Sequence, residues 1–350
     1  MKFYCDFVFH TRLSYEGNEN DPPVNVDFID CKTRNILHST RLNPGTWTQP
    51  NVQYYIKWLI NVRNDDDEVI WSQLLDLTDK RVYISIGFGT LGDTIAWFAY
   101  IEEFQKKHQC KIITSTAWNE LFEEEYPDFE FANYGVPVPN LYVAYTIILG
   151  KPGGGDSLFW NKNVPRLIPL QQSATDLLGL EYKPLRPKVN VTRVHPLVYG
   201  DYVTISEHGI NNIEKTWKYP GGWQKLVDML SYRYKVVVTS KEPTTLTNII
   251  DMTNRPINDT IINLKHSLAH IGIASGSSWL AWALETPVVM IGGYSEDWHE
   301  FECYRVANRN VCNGCYNRIG GQRCNIGTYE CMTSITPEMV YEKVIEAVER

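Results

Sequence analysis

A chain of 350 residues is long enough for two or three domains, each with its own core. Its composition, 43% hydrophobic and 21% charged, is that of an ordinary globular protein. The net charge of -8 argues against a nucleic-acid partner, and no stretch approaches the roughly 20 apolar residues that span a bilayer. Because Asp6, His10 and Arg12 interrupt the first apolar run, it is too polar for a signal peptide, and we expect a cytoplasmic protein without a membrane partner.

Residues 1–79 predict a β-rich module. Alternation over 24–29 and a return over 36–42 predict a hairpin, and aromatic and β-branched residues over 52–62 have strand spacing. This module is interpreted as a sheet that packs on the rest of the chain. The alternative is a surface for acceptor recognition or assembly.

From Arg81 onward, strands and helices alternate, which is typical of parallel α/β domains. A first domain, 80–195, is predicted to have strands over 82–86, 111–115, 129–132 and 142–149, followed by a glycine-containing loop over 151–163 that could cover a site. A second domain, 196–350, is predicted to have strands over 202–206, 235–240, 261–264, 271–274 and 287–291 and a C-terminal helix over 337–349. The ligand is expected in a cleft between the two domains.

The turn after the first of these strands contains Gly87, Gly89 and Gly92, the spacing of a dinucleotide-binding fingerprint. An NAD-dependent oxidoreductase would also carry an acidic residue at the end of the next strand, which here ends in threonines and a serine. We therefore disfavour NAD. Asp93, where the turn enters the helix, could act as a general base in the cleft or could simply cap the helix.

A second turn joins a buried strand to an apolar helix and is built from small residues. Its backbone N–H groups and the positive helix end suit a phosphate group of a ligand. A tight turn would require small residues in any case. The candidate donor-binding residues of the two turns and of the loop after strand 202–206 are Gly92, Thr94, His208, Lys215, Ser275, Gly276, Ser277 and Ser278. Trp279 and Trp282, three residues apart, are expected in the core.

Four of the eight cysteines fall between 312 and 331: Cys312, Cys315, Cys324 and Cys331. In a reduced chain this spacing predicts one metal ion held by four thiolates in a finger-like loop, and the closed ligand set indicates a structural role. Coordination chemistry alone makes zinc the default and iron the alternative.

Four segments together resemble the family 9 glycosyltransferases, the ADP-heptose-dependent transferases: LGDT at 91–94, ISEHG at 205–209, KTWKYPGGW at 215–223 and SGSSWLAWALETPVV at 275–289. The chain is most similar to the bacterial autotransporter heptosyltransferases. Lipopolysaccharide heptosyltransferases usually carry Asp-Ser/Thr-Gly followed by His. This chain instead has Ala274, Ser275 and Gly276 followed by Trp279, as in the autotransporter branch.

The resemblance implies a GT-B architecture, with two Rossmann-like domains facing a cleft and a C-terminal helix that crosses back to the first domain. It implies that Asp93 activates an acceptor hydroxyl, that Lys215 neutralises the leaving diphosphate, and that the reaction inverts the anomeric centre. It further implies iron in the cysteine finger and a serine acceptor on an adhesin protein, and it leaves a homo-oligomer possible. Alternatives are another nucleotide sugar, a glycan acceptor, or a non-catalytic binding protein with the same fold.

Overall fold

The computed structural model describes residues 1–87, 89–150, 160–209, 213–318, 323–324 and 326–349. The glycine-rich segment 151–159, part of the predicted loop, lies outside these residues. The strands are β1 (Lys2–Val8), β2 (Arg12–Glu16), β3 (Val24–Asp30), β4 (Ile36–Leu42), β5 (Trp47–Thr48), β6 (Trp58–Arg63), β7 (Val69–Leu74), β8 (Arg81–Ile86), β9 (Lys111–Ser115), β10 (Glu130–Phe131), β11 (Val143–Ile147), β12 (Tyr202–Ser206), β13 (Lys235–Val238), β14 (Ile250–Asp251), β15 (His270–Gly272), β16 (Val288–Ile291) and β17 (Tyr304–Val306).

The helices are α1 (Leu91–His108), α2 (Gln172–Leu178), α3 (Gly222–Leu230), α4 (Ile257–Lys265), α5 (Gly276–Ala283), α6 (Glu330–Thr333) and α7 (Pro337–Val348). Short 3-10 turns lie at Asn119–Leu121, Pro165–Leu167 and Ile213–Lys215. The predicted strand over 261–264 is wrong, because these residues lie in α4, where they are buried. A four-residue apolar run has no period of its own, so the sequence could not distinguish a buried strand from one buried helix turn.

Two parallel sheets organise the two α/β domains. The first has the order β10-β9-β8-β11-β1-β2-β5, and its first five strands run parallel. The second has the order β14-β13-β12-β15-β16-β17 and is parallel throughout. The carboxyl ends of parallel strands share one edge of a sheet, so the turns after β8, β12 and β15 lie where such folds bind ligands.

The N-terminal strands divide between two sheets. An antiparallel sheet has the order β4-β3-β6-β7, and it contains the predicted hairpin, with Val24 opposite Leu42. By contrast, β1 pairs in parallel with β11, with Phe7 opposite Val143, and brings β2 and β5 into the first domain's sheet. Residues 1–79 therefore do not pair as one module. Alternation along β1 fits either sheet equally well, so the sequence does not reveal its partner.

Helices α1 and α5 pack against each other and join the two domains. A Cβ on Gly92 would lie 3.3 Å from Cδ1 of Trp279, and a Cβ on Gly276 would lie 2.9 Å from Cβ of Leu91. The backbones can approach this closely because neither glycine has a side chain. One continuous core includes buried residues of both helices, among them Ile95, Trp279 and Trp282, so the prediction that these tryptophans are core residues is confirmed.

We expect Gly276→Ala to destabilise the fold by about 1–3 kcal/mol, because the new Cβ would overlap the rigid Cβ of Leu91. Thermal unfolding would measure the change. Gly87→Ala is the control, since its Cβ would meet only ordinary contacts of 3.5 Å or more. Equal melting temperatures for the two variants would contradict a tight crossing of α1 and α5.

The C-terminal helix stays with the second domain. In α7 the buried residues Val340, Val344 and Ala347 form a stripe that packs in the second domain's core, and the helix contacts α3, β16 and β17. The expectation that it crosses back to the first domain is wrong. The apolar stripe of α7 is buried against the apolar surface of the second domain's sheet, so the helix needs no apolar contact in the first domain.

In the part of the chain that the structure describes, no helix is both long and apolar enough to cross a membrane. The cytoplasmic location remains a prediction.

Candidate active site

The turn after β8 places Asp93 in the first turn of α1. Thr90, with an extended backbone (φ -80°, ψ 137°), is the N-cap of this helix, so Asp93 is not the capping residue. The Thr90 hydroxyl donates a hydrogen bond of 2.5 Å to Oδ2 of Asp93. This bond holds the carboxylate at the mouth of the turn and leaves its other oxygen for further contacts.

Asp93 of the first domain and Lys215 of the second lie close enough for their charges to interact. Burial raises the pKa of the Asp93 carboxyl above its ordinary value. The hydrogen bond from Thr90 and the charge of Lys215 oppose this rise without cancelling it. Lys215 ends the 3-10 turn after β12, in the second domain. A carboxylate with a raised pKa next to a cation is the arrangement expected of a general base beside a site of developing negative charge.

The N-terminus of α5 opens onto the same cleft. Its N-cap, Ser275, has an extended backbone and no side-chain capping bond. By their position, the first N–H groups of the helix have no acceptor within it. Ser275 and Ser277 are partly exposed, with hydroxyl oxygens 3.2 Å apart. These amides and hydroxyls can bind an anionic group, because the helix dipole adds to their partial positive charge.

Two hydroxyl groups that were predicted to bind the donor form hydrogen bonds within the protein instead. Thr94 is buried and donates to the carbonyl of Thr90 at 2.8 Å. Ser278 is also buried and donates to the carbonyl of Ile273 at 2.7 Å. Both side chains therefore stabilise the turns, while Gly92 shapes the contact between α1 and α5. Of the predicted set, Ser275, Gly276 and Ser277 lie at the start of α5, which contacts the start of α1, and Lys215 interacts electrostatically with Asp93.

His208 lies at the edge of the site. Its side chain is 44% exposed, and its Nε2 lies 3.3 Å from Oε1 of the buried Glu207. A Cβ on the next residue, Gly209, would lie 2.9 Å from Ile273, at the end of the strand that leads into α5. His208 is thus a neighbour of the helix N-terminus and is accessible to a ligand there.

Sequence reasoning missed a buried ion pair behind Lys215. Both Glu300 oxygens accept from the hydroxyl of Ser295, at 2.8 and 2.9 Å, and Nη2 of Arg305 donates to Glu300 at 2.5 Å. Burial alone would raise the pKa of Glu300, but the charges of Arg305 and Lys215 and the hydrogen bond from Ser295 outweigh it and hold that pKa below its usual range. Glu300 is therefore ionised and adds a negative charge near Lys215. A Glu near an Arg is so common in sequences that no signal distinguishes this pair.

His299 ties the second domain to the first. Its Nδ1 lies 3.1 Å from the carbonyl of Ile168, and its own carbonyl accepts from the amide of Leu170 at 2.8 Å. Burial lowers the pKa of His299, so the ring is neutral and Nδ1–H donates to Ile168. The aromatic ring of Tyr316 lies 4.9 Å from this imidazole.

The cysteine-bearing loop borders the site. Burial, followed by the neighbouring Cys312, Cys315 and Cys324, raises the pKa of Cys331 to about 11, so these three cysteines lie within electrostatic range of Cys331. Four thiols whose ionised forms repel each other are a donor set that a cation would stabilise. Among the described residues, no three Cys, His, Asp or Glu side chains are already arranged around one point. Residues 319–322 and 325 of the predicted finger lie outside the described part of the chain.

The chain was then compared with known proteins. No protein-family model matches it. It is 31% identical over 335 residues to the autotransporter heptosyltransferase Aah of Escherichia coli, covering 90% of this chain and 82% of that one. It is 29% identical over 305 residues to a Burkholderia thailandensis protein named as an inactive autotransporter heptosyltransferase, BimC, covering 83% and 71%.

Among solved structures, the iron-containing dodecameric glycosyltransferase TibC from enterotoxigenic E. coli superimposes with a TM-score of 0.90 at 25% identity, over 99% of this chain and 96% of TibC. A structure of TibC in complex with ADP-D-beta-D-heptose gives a TM-score of 0.89 at 24% identity. The two facing α/β domains are thus of the GT-B type. The 31% identity to Aah, over 90% of this chain and 82% of that one, shows that the chain belongs to the autotransporter heptosyltransferase family of glycosyltransferases.

Proposed function

We propose that this protein transfers heptose from ADP-heptose to a serine hydroxyl of an autotransporter adhesin, with inversion at the anomeric carbon. The observation that carries the proposal is the placement of Asp93 in one domain against Lys215 and the start of α5 in the other. The TibC complex with ADP-D-beta-D-heptose supports the choice of donor. Because one relative is named inactive, the proposal depends on these residues and not on family membership alone.

The reaction requires one proton transfer and one displacement. Asp93 takes the proton of the acceptor hydroxyl, and the oxygen forms a bond to the anomeric carbon as the bond to the diphosphate breaks. The electron pair leaves with ADP, whose new negative charge is stabilised by Lys215 and by the N–H groups of Gly276 and Ser277. A fixed cation and fixed dipoles favour the transition state because they need no reorganisation as charge develops.

A single displacement agrees with the carboxylates of the site. A retaining enzyme needs a second carboxylate as nucleophile at the anomeric carbon. Glu300 and Glu214 are buried carboxylates near Lys215. The oxygens of Glu300 already accept from Ser295 and Arg305, which disfavours Glu300 as a nucleophile. We propose that Asp93 acts as a base and that the configuration inverts, as the family resemblance implies.

Titration calorimetry with ADP-heptose, NAD and UDP-glucose tests the donor. Selective binding of ADP-heptose supports the proposal, whereas binding of NAD would indicate that the first glycine turn binds a dinucleotide.

The acceptor is tested by measuring the intact mass of an autotransporter adhesin passenger after the reaction. The same passenger with its serines changed to alanine is measured alongside. Addition of heptose to both passengers alike would overturn the serine assignment.

We further propose that Cys312, Cys315, Cys324 and Cys331 bind one metal ion, with iron favoured by the likeness to iron-containing TibC and zinc as the alternative. When bound, such an ion would supply structural cross-linking of the loop. We expect elemental analysis to give about one metal per chain in the purified protein and Cys331→Ser to lose it. Retention of the metal by this variant would contradict the four-cysteine site. Cys303→Ser, outside the cluster, is the control.

Self-association is proposed as well. TibC is described as dodecameric. Here the edge strands of the antiparallel sheet expose large apolar side chains: Ile36, Leu37, Val69, Ile70 and Leu74. Light scattering would measure the oligomer, and a monomer at micromolar concentration would overturn this part of the proposal.

A further inference from the structure

The segment 312–318, the first part of the cysteine-bearing loop, lies between the two domains. Its backbone is attached to the turn after β16: the amide of Gly314 donates to the carbonyl of Gly293 at 2.8 Å, and the amide of Tyr316 donates to the carbonyl of Tyr294 at 3.0 Å. A Cβ on Gly293 would lie 2.9 Å from Cβ of Cys331, so the other end of the cysteine cluster packs against the same turn. The segment is therefore fixed to the second domain at several points.

One buried side chain links this segment to both domains. Oδ1 of Asn317 accepts from the amide of Glu296 at 2.8 Å, and its Nδ2 donates to the carbonyl of Arg166 at 2.6 Å. Asn317 is 9% exposed, so both bonds are shielded from water. Arg166 lies in the 3-10 turn Pro165–Leu167, which leads into α2 and the core of the first domain. A single amide thus joins the backbones of the two domains.

The link lies next to the reacting groups. Tyr316, the residue before Asn317, packs its ring on His299 and lies within electrostatic range of the Asp93 carboxylate. Elsewhere in the interface, Gly92 and Gly276 fix the crossing of α1 and α5, and His299 bonds the backbone of Ile168 and Leu170. Asn317 is therefore one of several links between the two domains, and Asp93 lies in the first turn of a helix at their interface.

We infer that Asn317 is a positioning residue, which holds Asp93 in register with the donor-binding groups of the second domain. This inference rests on the proposed function. It also gives the cysteine cluster a role beyond its own loop, because the cluster supports the segment that carries Asn317. Since Lys215 and α5 belong to one domain, loosening the link leaves the donor site intact and misplaces only the base.

Three variants test this. Asn317→Ala removes both bonds, and Asn317→Asp keeps the acceptor for Glu296 but loses the donor to Arg166. Asn313→Ala is the matched control, because Nδ2 of Asn313 donates only to carbonyls of its own loop, Asn308 and Val311. Metal content is measured for each variant, so that loss of metal is not mistaken for loss of the link.

We expect kcat for heptose transfer to fall about 10- to 100-fold in both Asn317 variants, because small displacements of a catalytic group have effects of this size. The Kd for ADP-heptose, measured by calorimetry, should stay close to that of the unaltered chain. Hydrogen exchange of the backbone over 165–170 should become faster in both Asn317 variants and remain unchanged in Asn313→Ala.

A normal kcat in Asn317→Asp would show that only the bond to Glu296 matters and would overturn the inference. Weaker ADP-heptose binding with a normal kcat would overturn it too, since Asn317 would then belong to the donor site. If the unaltered chain transfers no heptose, the proposed function fails by itself. Hydrogen exchange over 165–170 then decides the inference, and unchanged exchange in Asn317→Asp would overturn it.

Discussion

Asp93→Asn is expected to reduce the rate of heptose transfer by about 100- to 10,000-fold, the usual contribution of a general base. Asparagine has the same shape and can still accept from Thr90, so the turn and the N-terminus of α1 should keep their geometry. The substitution removes only the ability to take a proton. Transfer is followed by the mass of the adhesin passenger and by release of ADP.

Measurements of donor affinity and thermal stability distinguish the loss of the base in Asp93→Asn from a general loss of structure. Because Asp93 lies in the first domain, the Kd for ADP-heptose should change little. The folded-state pKa of Asp93 is raised, so its ionised form is disfavoured in the fold, and its contribution to stability is lost as the pH rises through that pKa. At neutral pH, Asp93→Asn should therefore melt at the same or a higher temperature. Transfer that survives the substitution would refute the assignment of the base.

Lys215→Ala is expected to reduce kcat by about 100- to 1,000-fold, the effect of removing one group that stabilises developing negative charge. Part of the loss should also appear as weaker binding of ADP-heptose, since the diphosphate is already charged in the bound donor. Lys225→Ala is the control, because Lys225 is an exposed lysine of the same domain whose ammonium group lies over the ring of Tyr219. Similar rates in the two lysine variants would contradict a role for Lys215 in catalysis.

The same substitution should move the pH dependence of transfer. Activity requires ionised Asp93 and is lost as the pH falls through its pKa. The charge of Lys215 lowers that pKa, opposing burial, so its removal should raise it further. The acid limb of kcat/KM should then shift to higher pH in Lys215→Ala. An unchanged limb would show that the two charges do not interact across the cleft.

The sequence predicts the parts of this fold that depend on local pattern. Glycine turns after β8 and before α5, together with alternating strands and helices, indicate two parallel α/β domains and place Asp93 and Ser275 at their edges. Local pattern does not show which strands become neighbours, so the pairing of β1 with β11 could not be predicted. The sequence pattern correctly includes α7 in the second domain, and only the crossing back to the first domain, which the family resemblance implies, is wrong. An amphipathic stripe shows that a helix packs but does not identify the surface it packs on.

The same distinction holds for the site. The spacing of the turn residues identifies them in the sequence. Glu300 bonds Ser295 and Arg305, five residues away on either side, in a pattern too common to be a signal, and Asn317 acts through a partner far away in the chain. Asn317, for example, bonds Arg166, 151 positions earlier, and nothing around either residue signals the pairing. The hydroxyls of Thr94 and Ser278 were predicted for the donor from their position in the turns. Only the structure shows that both hydroxyls are buried in those turns and donate to backbone carbonyls there.

The contacts of Gly92 with Trp279 and Gly276, and of Gly276 with Leu91, also limit how the protein can be recombined. The second domain produced alone would expose Trp279 and Trp282 to water, and a large apolar patch of this kind leads to aggregation. Chimeras that exchange one domain with a relative must therefore bring matched partners at this crossing. We therefore expect functional recombinants to exchange the two domains together, as a pair.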